Sequence, residues 1–181
     1  MKKIRILFLM LLSCSALFVS CNKEQIDSDN LEGTWRAYKG ELLFDGSVVL
    51  GGADALDGFV SLTFSNGILT TSIDGYSGSA AYSYANGVIT AATILPVQLT
   101  VIELTKTNLV IDVPRGIISL GSGDWGEAVA TYKGRKIYRS EGYLMDEYWY
   151  TSGSKMVYCE PLNEEDFSEG WTDTTRLYLK Q

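Results

Sequence analysis

Histidine is absent from the 181-residue chain, and cysteine and proline occur only three times each. Without histidine, the chain has neither a Ser-His-Asp nor a Cys-His catalytic arrangement, and no zinc site that uses imidazole ligands. The formal charge of -7 disfavours nucleic acid as a partner, because phosphate binding needs a basic surface. We therefore expect no metal ion, no cofactor and no nucleic-acid partner.

A long hydrophobic run is missing as well. The uncharged stretch 6–20 follows the basic residues Lys2, Lys3 and Arg5, and it is shorter than the roughly 20 residues that a transmembrane helix needs. A basic start, a short apolar segment and small residues before a cleavage point are typical of a secretory signal. We predict a signal peptide over residues 1–20.

The end of this segment resembles a bacterial lipobox. Residues 17–20 (LFVS) precede Cys21, with Phe18 where leucine is usual. The resemblance implies that Cys21 becomes the lipidated first residue and anchors the chain in a bacterial outer membrane; an ordinary soluble secreted form is the alternative. The polar segment 21–30 is typical of a flexible tether. Its charges leave the periplasmic and the cell-surface face of that membrane both open.

The three cysteines predict no disulfide in the processed chain. Cys14 leaves with the signal peptide and Cys21 is acylated, so that Cys159 remains alone. Cys159 lies in the segment 155–159 (KMVYC), which favours a strand. We predict a buried, unreactive thiol there, because a reactive one needs electropositive and partly exposed surroundings.

Turn signals recur along the rest of the chain. Asn-Gly and Asp-Gly pairs tolerate the positive φ of two-residue hairpin turns, and they stand at Asp45-Gly46, Asp57-Gly58, Asn66-Gly67, Asp74-Gly75 and Asn86-Gly87. The segments between them alternate apolar and polar residues, as in 60–65, and no stretch beyond Ser20 shows a helical period. Many short antiparallel strands expose edges unless the sheet closes or doubles. We predict an all-β antiparallel meander that closes into a barrel or flattened barrel, as one domain over residues 31–181.

The opening Leu31-Glu32-Gly33-Thr34-Trp35 is similar to the G-x-W start of lipocalin-like proteins. The following segments, in the order found in bacterial lipocalin-like lipoproteins, are 62–64, 79–84, 87–90, 101–105 and 108–111. The resemblance covers residues 31–113 and fades beyond Pro114. It implies a lipocalin-like, calycin-type barrel in which Trp35 packs across the closed end against a basic side chain of the last strand. Arg176 is the candidate for that side chain, and the two residues together imply a structural cap.

Carboxylates are the remaining candidates for catalysis. Asp146 and Glu147 are neighbours on a predicted strand, so their side chains point to opposite faces and cannot line one cleft. Residues 164–166 lie in a predicted acidic loop. The G-x-G-x-x-G pattern at 121–126 lacks the helix that a dinucleotide site needs after it. We predict no enzymatic activity.

Small residues in the strands and aromatic residues in the last third of the chain suggest two functions. Small residues that point inward leave volume inside a barrel, which favours a small apolar or amphipathic ligand with Tyr82 and Tyr84 as contacts. If the two walls approach closely, the same small residues fill a thin core instead, and the sequence does not separate these cases. Exposed rings favour a surface interaction protein, or a glycan-binding accessory, in which Tyr148, Trp149 and Trp171 make contact. Burial of these rings in a core is the competing interpretation, and the sequence does not identify a ligand.

Overall fold

The computed structural model describes residues 30–53, 59–91, 97–119, 125–142 and 145–181, which form fifteen strands and no α-helix. The first eight strands are β1 (Gly33–Phe44), β2 (Ser47–Ala53), β3 (Val60–Ser65), β4 (Ile68–Ile73), β5 (Tyr76–Ala85), β6 (Val88–Ala91), β7 (Val97–Leu104) and β8 (Asn108–Pro114). The others are β9 (Ile117–Ser119), β10 (Ala130–Tyr132), β11 (Arg135–Glu141), β12 (Asp146–Ser152), β13 (Lys155–Pro161), β14 (Trp171–Thr172) and β15 (Thr174–Lys180). The predicted signal peptide and Cys21 lie outside the described residues.

Eight strands close into an antiparallel barrel. β1 and β3 to β8 follow one another round the wall, and β15 completes it by pairing with both β8 and β1. β2 adds one further strand beside the second half of β1, beyond the point where β3 ends. The all-β antiparallel barrel that the sequence predicts is confirmed.

The hairpin turns form because their residues accept a left-handed backbone. Asp45, Asn66, Asp74 and Asn86 have φ between 48° and 53°, and each is followed by a glycine with φ between 76° and 82°. Lys133 and Gly134 adopt the same turn, with φ of 45° and 76°, although lysine gives no turn signal. The predicted turn at Asp57 lies outside the described residues.

Alternation along the strands places one face of each strand inside the barrel. Val60, Leu62 and Phe64 of β3 are buried, whereas Ser61 and Thr63 between them are half-exposed. The same alternation in the other strands produces one apolar core, whose largest fully buried side chains are Trp35, Phe64, Leu31, Ile89, Leu109, Ile111 and Leu179. Each fully buried Leu, Ile or Phe side chain stabilises the fold by about 1.5–3 kcal/mol.

The two ends of the barrel differ. We name the end with the turns at 66–67, 86–87 and 105–107 the closed end, because the chain enters there with Leu31 fully buried. The indole Nε1 of Trp35 donates a 2.8 Å hydrogen bond to the Leu31 carbonyl and fixes that entry. The opposite end, which bears the turn at 74–75, is the open end.

Residues between β8 and β15 form an inserted sheet. Its strands run in the order β10-β11-β12-β13-β14, with β9 beside β13. Pro114 and Thr174, which flank the insertion, pair with each other at the open end of the barrel. The sequence predicts a loop over residues 114–125, whereas the structure has β9 within that range. The prediction missed this strand because three residues are too few to show a strand period.

Candidate functional site

The closed end of the barrel is filled by side chains. Phe64 and Tyr82 pack edge to face with their ring centroids 5.1 Å apart, and the Tyr82 hydroxyl reaches Glu32 Oε1 over 3.5 Å. Trp35 is fully buried in the same core. This end therefore provides packing rather than an entrance.

Arg176 does not take the role that the resemblance implies. Its guanidinium donates to both carboxylate oxygens of Asp112, over 2.7 and 2.9 Å. Arg176 lies opposite Glu41 in the β1–β15 pairing, between the positions of the inward-facing β15 residues, and so points away from the core that holds Trp35. The structure thus pairs Arg176 with Asp112, and the hydrogen bond of the Trp35 indole goes to Leu31.

Tyr82 and Tyr84 both face inward and pack against the barrel core. Burial is the main cause of a raised pKa at each phenol. The Tyr84 hydroxyl is buried without a hydrogen-bond partner in the described part of the chain. A buried polar atom without a partner is uncommon, and this one belongs to a residue beside the 86–87 turn of the closed end.

The inner wall changes character toward the open end. The pairing of β3, β4 and β5 aligns Leu62 with Thr71 and Gly78, and Val60 with Ile73 and Tyr76. Apart from its two chain neighbours, none of the described residues has an atom within 4 Å of the place where a Gly78 Cβ would stand. The Tyr76 side chain is 83% exposed although its position faces inward. In the described part of this end, Val60 and Leu62 of β3 are buried, whereas residues 76–79 of β5 are exposed, so the β5 part of the wall is uncovered.

Charge is missing from the inner wall. The inward positions of the described strands carry no Asp, Glu, Lys or Arg; in β4, β5, β8 and β15 they are Leu69, Thr71, Ile73, Tyr76, Gly78, Ala80, Tyr82, Tyr84, Leu109, Ile111, Val113, Thr175, Leu177 and Leu179. An ionised group without a partner is costly to bury in such a wall. The interior therefore accepts uncharged, mostly apolar groups.

The inserted sheet has its own core. Trp171 is fully buried there with Ile137, Tyr150 and Cys159, and Phe44 of β1 joins them from the barrel. Tyr148 packs edge to face against Trp171, with ring centroids 5.2 Å apart. Among the aromatic candidates, Trp171 and Tyr148 thus belong to this packing, whereas Trp149 lies on the opposite face of β12.

A buried carboxylate joins the two units, and no sequence motif marks it. Asp173 Oδ2 accepts hydrogen bonds from the Tyr150 hydroxyl over 2.7 Å and from the Asp45 backbone N–H over 2.8 Å. Arg135 of β11 in turn donates to Asp45 Oδ2 over 2.7 Å. The barrel hairpin, the inserted sheet and the start of β15 meet at this point.

Cys159 is buried, as predicted. Burial, together with the nearby Asp173 and Glu160 carboxylates, raises the pKa of its thiol to about 12. The thiolate, which is the nucleophilic form, is therefore scarce near neutral pH.

Two further observations concern the described residues alone. No helix among them is long and apolar enough to cross a membrane. In the same ranges, no group of three or more Asp, Glu or Cys side chains converges as metal ligands would.

No family model matches the chain, and no curated protein or solved structure is significantly similar to it. The fold therefore stands on the geometry of the chain itself. That geometry is an eight-stranded antiparallel barrel, consistent with a calycin-like fold.

Proposed function

We propose that this protein is a membrane-anchored, non-enzymatic binding protein that takes a small apolar or amphipathic ligand into the open end of its barrel. The observation that supports the proposal lies in the described part of the wall: Gly78 has open space at its Cβ position, beside the inward-facing but exposed Tyr76. Barrels of this strand number are wide enough to hold side chains or one small ligand. Burial of the ligand's apolar surface would supply most of the affinity.

The uncharged inner wall limits which ligands the barrel can accept. A charged group would lose its hydration inside, where the described wall offers no opposite charge. The apolar part of an amphipathic ligand therefore enters first, and any charged group stays at the open end.

The anchor we propose is the acyl group on Cys21, as the lipobox-like sequence implies, in a bacterial outer membrane. The described chain enters the barrel at Leu31, at the closed end. A tether of residues 21–30 would thus hold the closed end toward the membrane and turn the open end away from it. The ligand would then arrive from the aqueous side, on either the periplasmic or the cell-surface face.

A second candidate function is binding through surface aromatics to a protein or a glycan. The full burial of Trp171, and the packing of the half-buried Tyr148 against it, do not favour this function. The position of Trp149 on the outer face of the inserted sheet favours this second function.

The experiment that tests ligand binding uses an apolar fluorescent probe, N-phenyl-1-naphthylamine, titrated into the full-length protein. Gly78→Phe places a ring in the unfilled space, and the extended backbone of β5 accepts that side chain. We expect the probe to bind the native protein and to bind Gly78→Phe at least about tenfold more weakly, since the buried area is lost.

Ser79→Phe is the matched control. Ser79 is the next residue of β5 and is exposed on the outer face, where its hydroxyl contacts Thr70. It should leave probe affinity unchanged. Failure of the native protein to bind the probe, or equal loss in both variants, would overturn the proposal.

A further inference from the structure

Three rings lie in a row across the outer face of the inserted sheet. Tyr138 of β11, Trp149 of β12 and Tyr158 of β13 are directly opposite one another in the strand pairing. Adjacent strands are about 4.8 Å apart, so the row spans roughly 10 Å. We name these three residues the aromatic row.

Two kinds of contact fix the aromatic row: the core on the opposite face of the sheet, and packing between rings of the row itself. The other face of the same strands is sealed by the second core, to which Tyr150 and Cys159 belong. Trp149 and Tyr158 pack edge to face with their ring centroids 5.2 Å apart, which fixes their orientation. All three rings are half-buried, so part of each ring remains available to solvent.

Polar groups frame the aromatic row. The Tyr158 hydroxyl donates to Glu160 Oε1 over 3.3 Å, and Glu160 is paired with Arg115 over 2.6 Å. Ser140 and Glu147 are paired on one side of the row. On the other side stand the exposed Lys136 and Thr151, and Thr151 is paired with the fully buried Met156 of β13. Donors and acceptors therefore stand along both sides of a narrow apolar strip.

This pattern fits a neutral sugar chain better than a protein or an acidic polymer. Pyranose rings have an apolar C–H face and a rim of hydroxyl groups, which matches a row of rings with polar groups at its sides. A stable protein partner needs about 800 Å² on each side with an apolar centre, and the row is only one ring wide. The charges that frame the row balance, since Arg115 and Lys136 stand against Glu147 and Glu160, and a balanced frame favours a neutral chain over an acidic one.

We propose that the aromatic row is a docking surface for a neutral oligosaccharide segment of a polysaccharide. The sugar rings pack on Tyr138, Trp149 and Tyr158, and their hydroxyl groups bond to the framing side chains. This site is separate from the open end of the barrel, so it does not depend on the ligand proposed there. It gives the inserted sheet a function of its own.

Affinity gel electrophoresis tests the proposal with the full-length protein in detergent. The gels contain a soluble β-glucan, an α-glucan or a galactomannan, and a polygalacturonate gel serves as the acidic comparison. We expect at least one neutral polymer to slow the native protein. Trp149→Ala and Tyr138→Thr should each weaken that binding about tenfold, since a ring contact is lost.

Two controls separate this site from the barrel. Tyr76→Ala removes an exposed tyrosine outside the row, and Gly78→Phe blocks the open end; both should migrate as the native protein does. A far-UV spectrum checks that each variant is folded, and Tyr138→Thr decides the result if Trp149→Ala is not. No retardation by any neutral polymer, unchanged retardation in a folded row variant, or stronger retardation by polygalacturonate would each overturn the proposal.

Discussion

The hydroxyl of Tyr150 donates a 2.7 Å hydrogen bond to the carboxylate of Asp173, and the inserted sheet is thereby tied to the start of the last barrel strand. Asp173 is only 3% exposed, and the same carboxylate oxygen holds the Asp45 backbone N–H of the β1–β2 turn. A single carboxylate thus couples the position of the insertion to that of the barrel wall beside the open end.

Loss of the Asp173 carboxylate should destabilise the fold. Asp173→Ala leaves the Tyr150 hydroxyl and the Asp45 N–H without their acceptor, so we expect the free energy of unfolding to fall by about 2–4 kcal/mol. Tyr150→Phe removes one hydrogen bond to a charged group and should cost about 1.5–3 kcal/mol. Urea denaturation measures both. Tyr76→Phe, at an exposed ring, is the control, and equal stability of all three variants would contradict this role of Asp173.

Alkaline pH should destabilise the protein. In the folded state, burial raises the pKa of the Cys159 thiol from 9.0 to about 12, and it raises the pKa of the Tyr150 phenol as well. Both groups therefore lose their protons more readily in the unfolded state than in the folded state. Their contribution to the free energy of unfolding is complete below about pH 9 and is lost as the pH rises toward 12.

Urea denaturation between pH 8 and pH 11 measures this loss. Cys159→Ala and Tyr150→Phe should each flatten the decline, because each removes one of the two titrating groups. A free energy of unfolding that rises with pH over this range would show that the assigned direction is wrong.

Arg176 and Asp112 should be coupled to each other and not to Trp35. Their bidentate ion pair is largely shielded, with side chains 23% and 19% exposed. A double-mutant cycle with Arg176→Ala and Asp112→Ala should give a coupling free energy of about 1 kcal/mol. The corresponding cycle with Arg176→Ala and Trp35→Phe should give a value near zero. Strong coupling in the second cycle would restore the contact implied by the lipocalin resemblance.

The lipid anchor can be tested by one substitution. Cys21→Ser removes the sulfur that would carry the acyl group, so the protein should move from the membrane fraction to the soluble fraction. Cys159→Ser is the matched control, because it removes the buried thiol, and it should remain with the membrane. Retention of Cys21→Ser in the membrane fraction would exclude an anchor at that residue.

The fold could be predicted from the sequence because local signals specify most of its turns and strands. Asn66 and Asn86, each followed by glycine, mark turns whose positive φ few other residues accept, and the alternation in β3 marks which face is buried. Closure then follows from the number of short antiparallel strands, since an open sheet of that size would leave exposed edges.

The partners of individual side chains and the registers of the strand pairs could not be predicted in this way. Alternation places Arg176 outside the core, yet only the β15–β8 register brings it to Asp112. Asp173 has no motif, because its role comes from a tyrosine and a backbone N–H that are distant in the chain. The separate inserted sheet was missed for the same reason: strand patterns show where strands lie but not which strands pair.

The most direct test of the central claim is native mass spectrometry of the protein extracted from the membrane of the cells that make it. A small molecule of defined mass should accompany the native protein and the Ser79→Phe variant, and it should be absent from Gly78→Phe. The same adduct on Gly78→Phe, or none on the native protein, would contradict a ligand at the open end of the barrel.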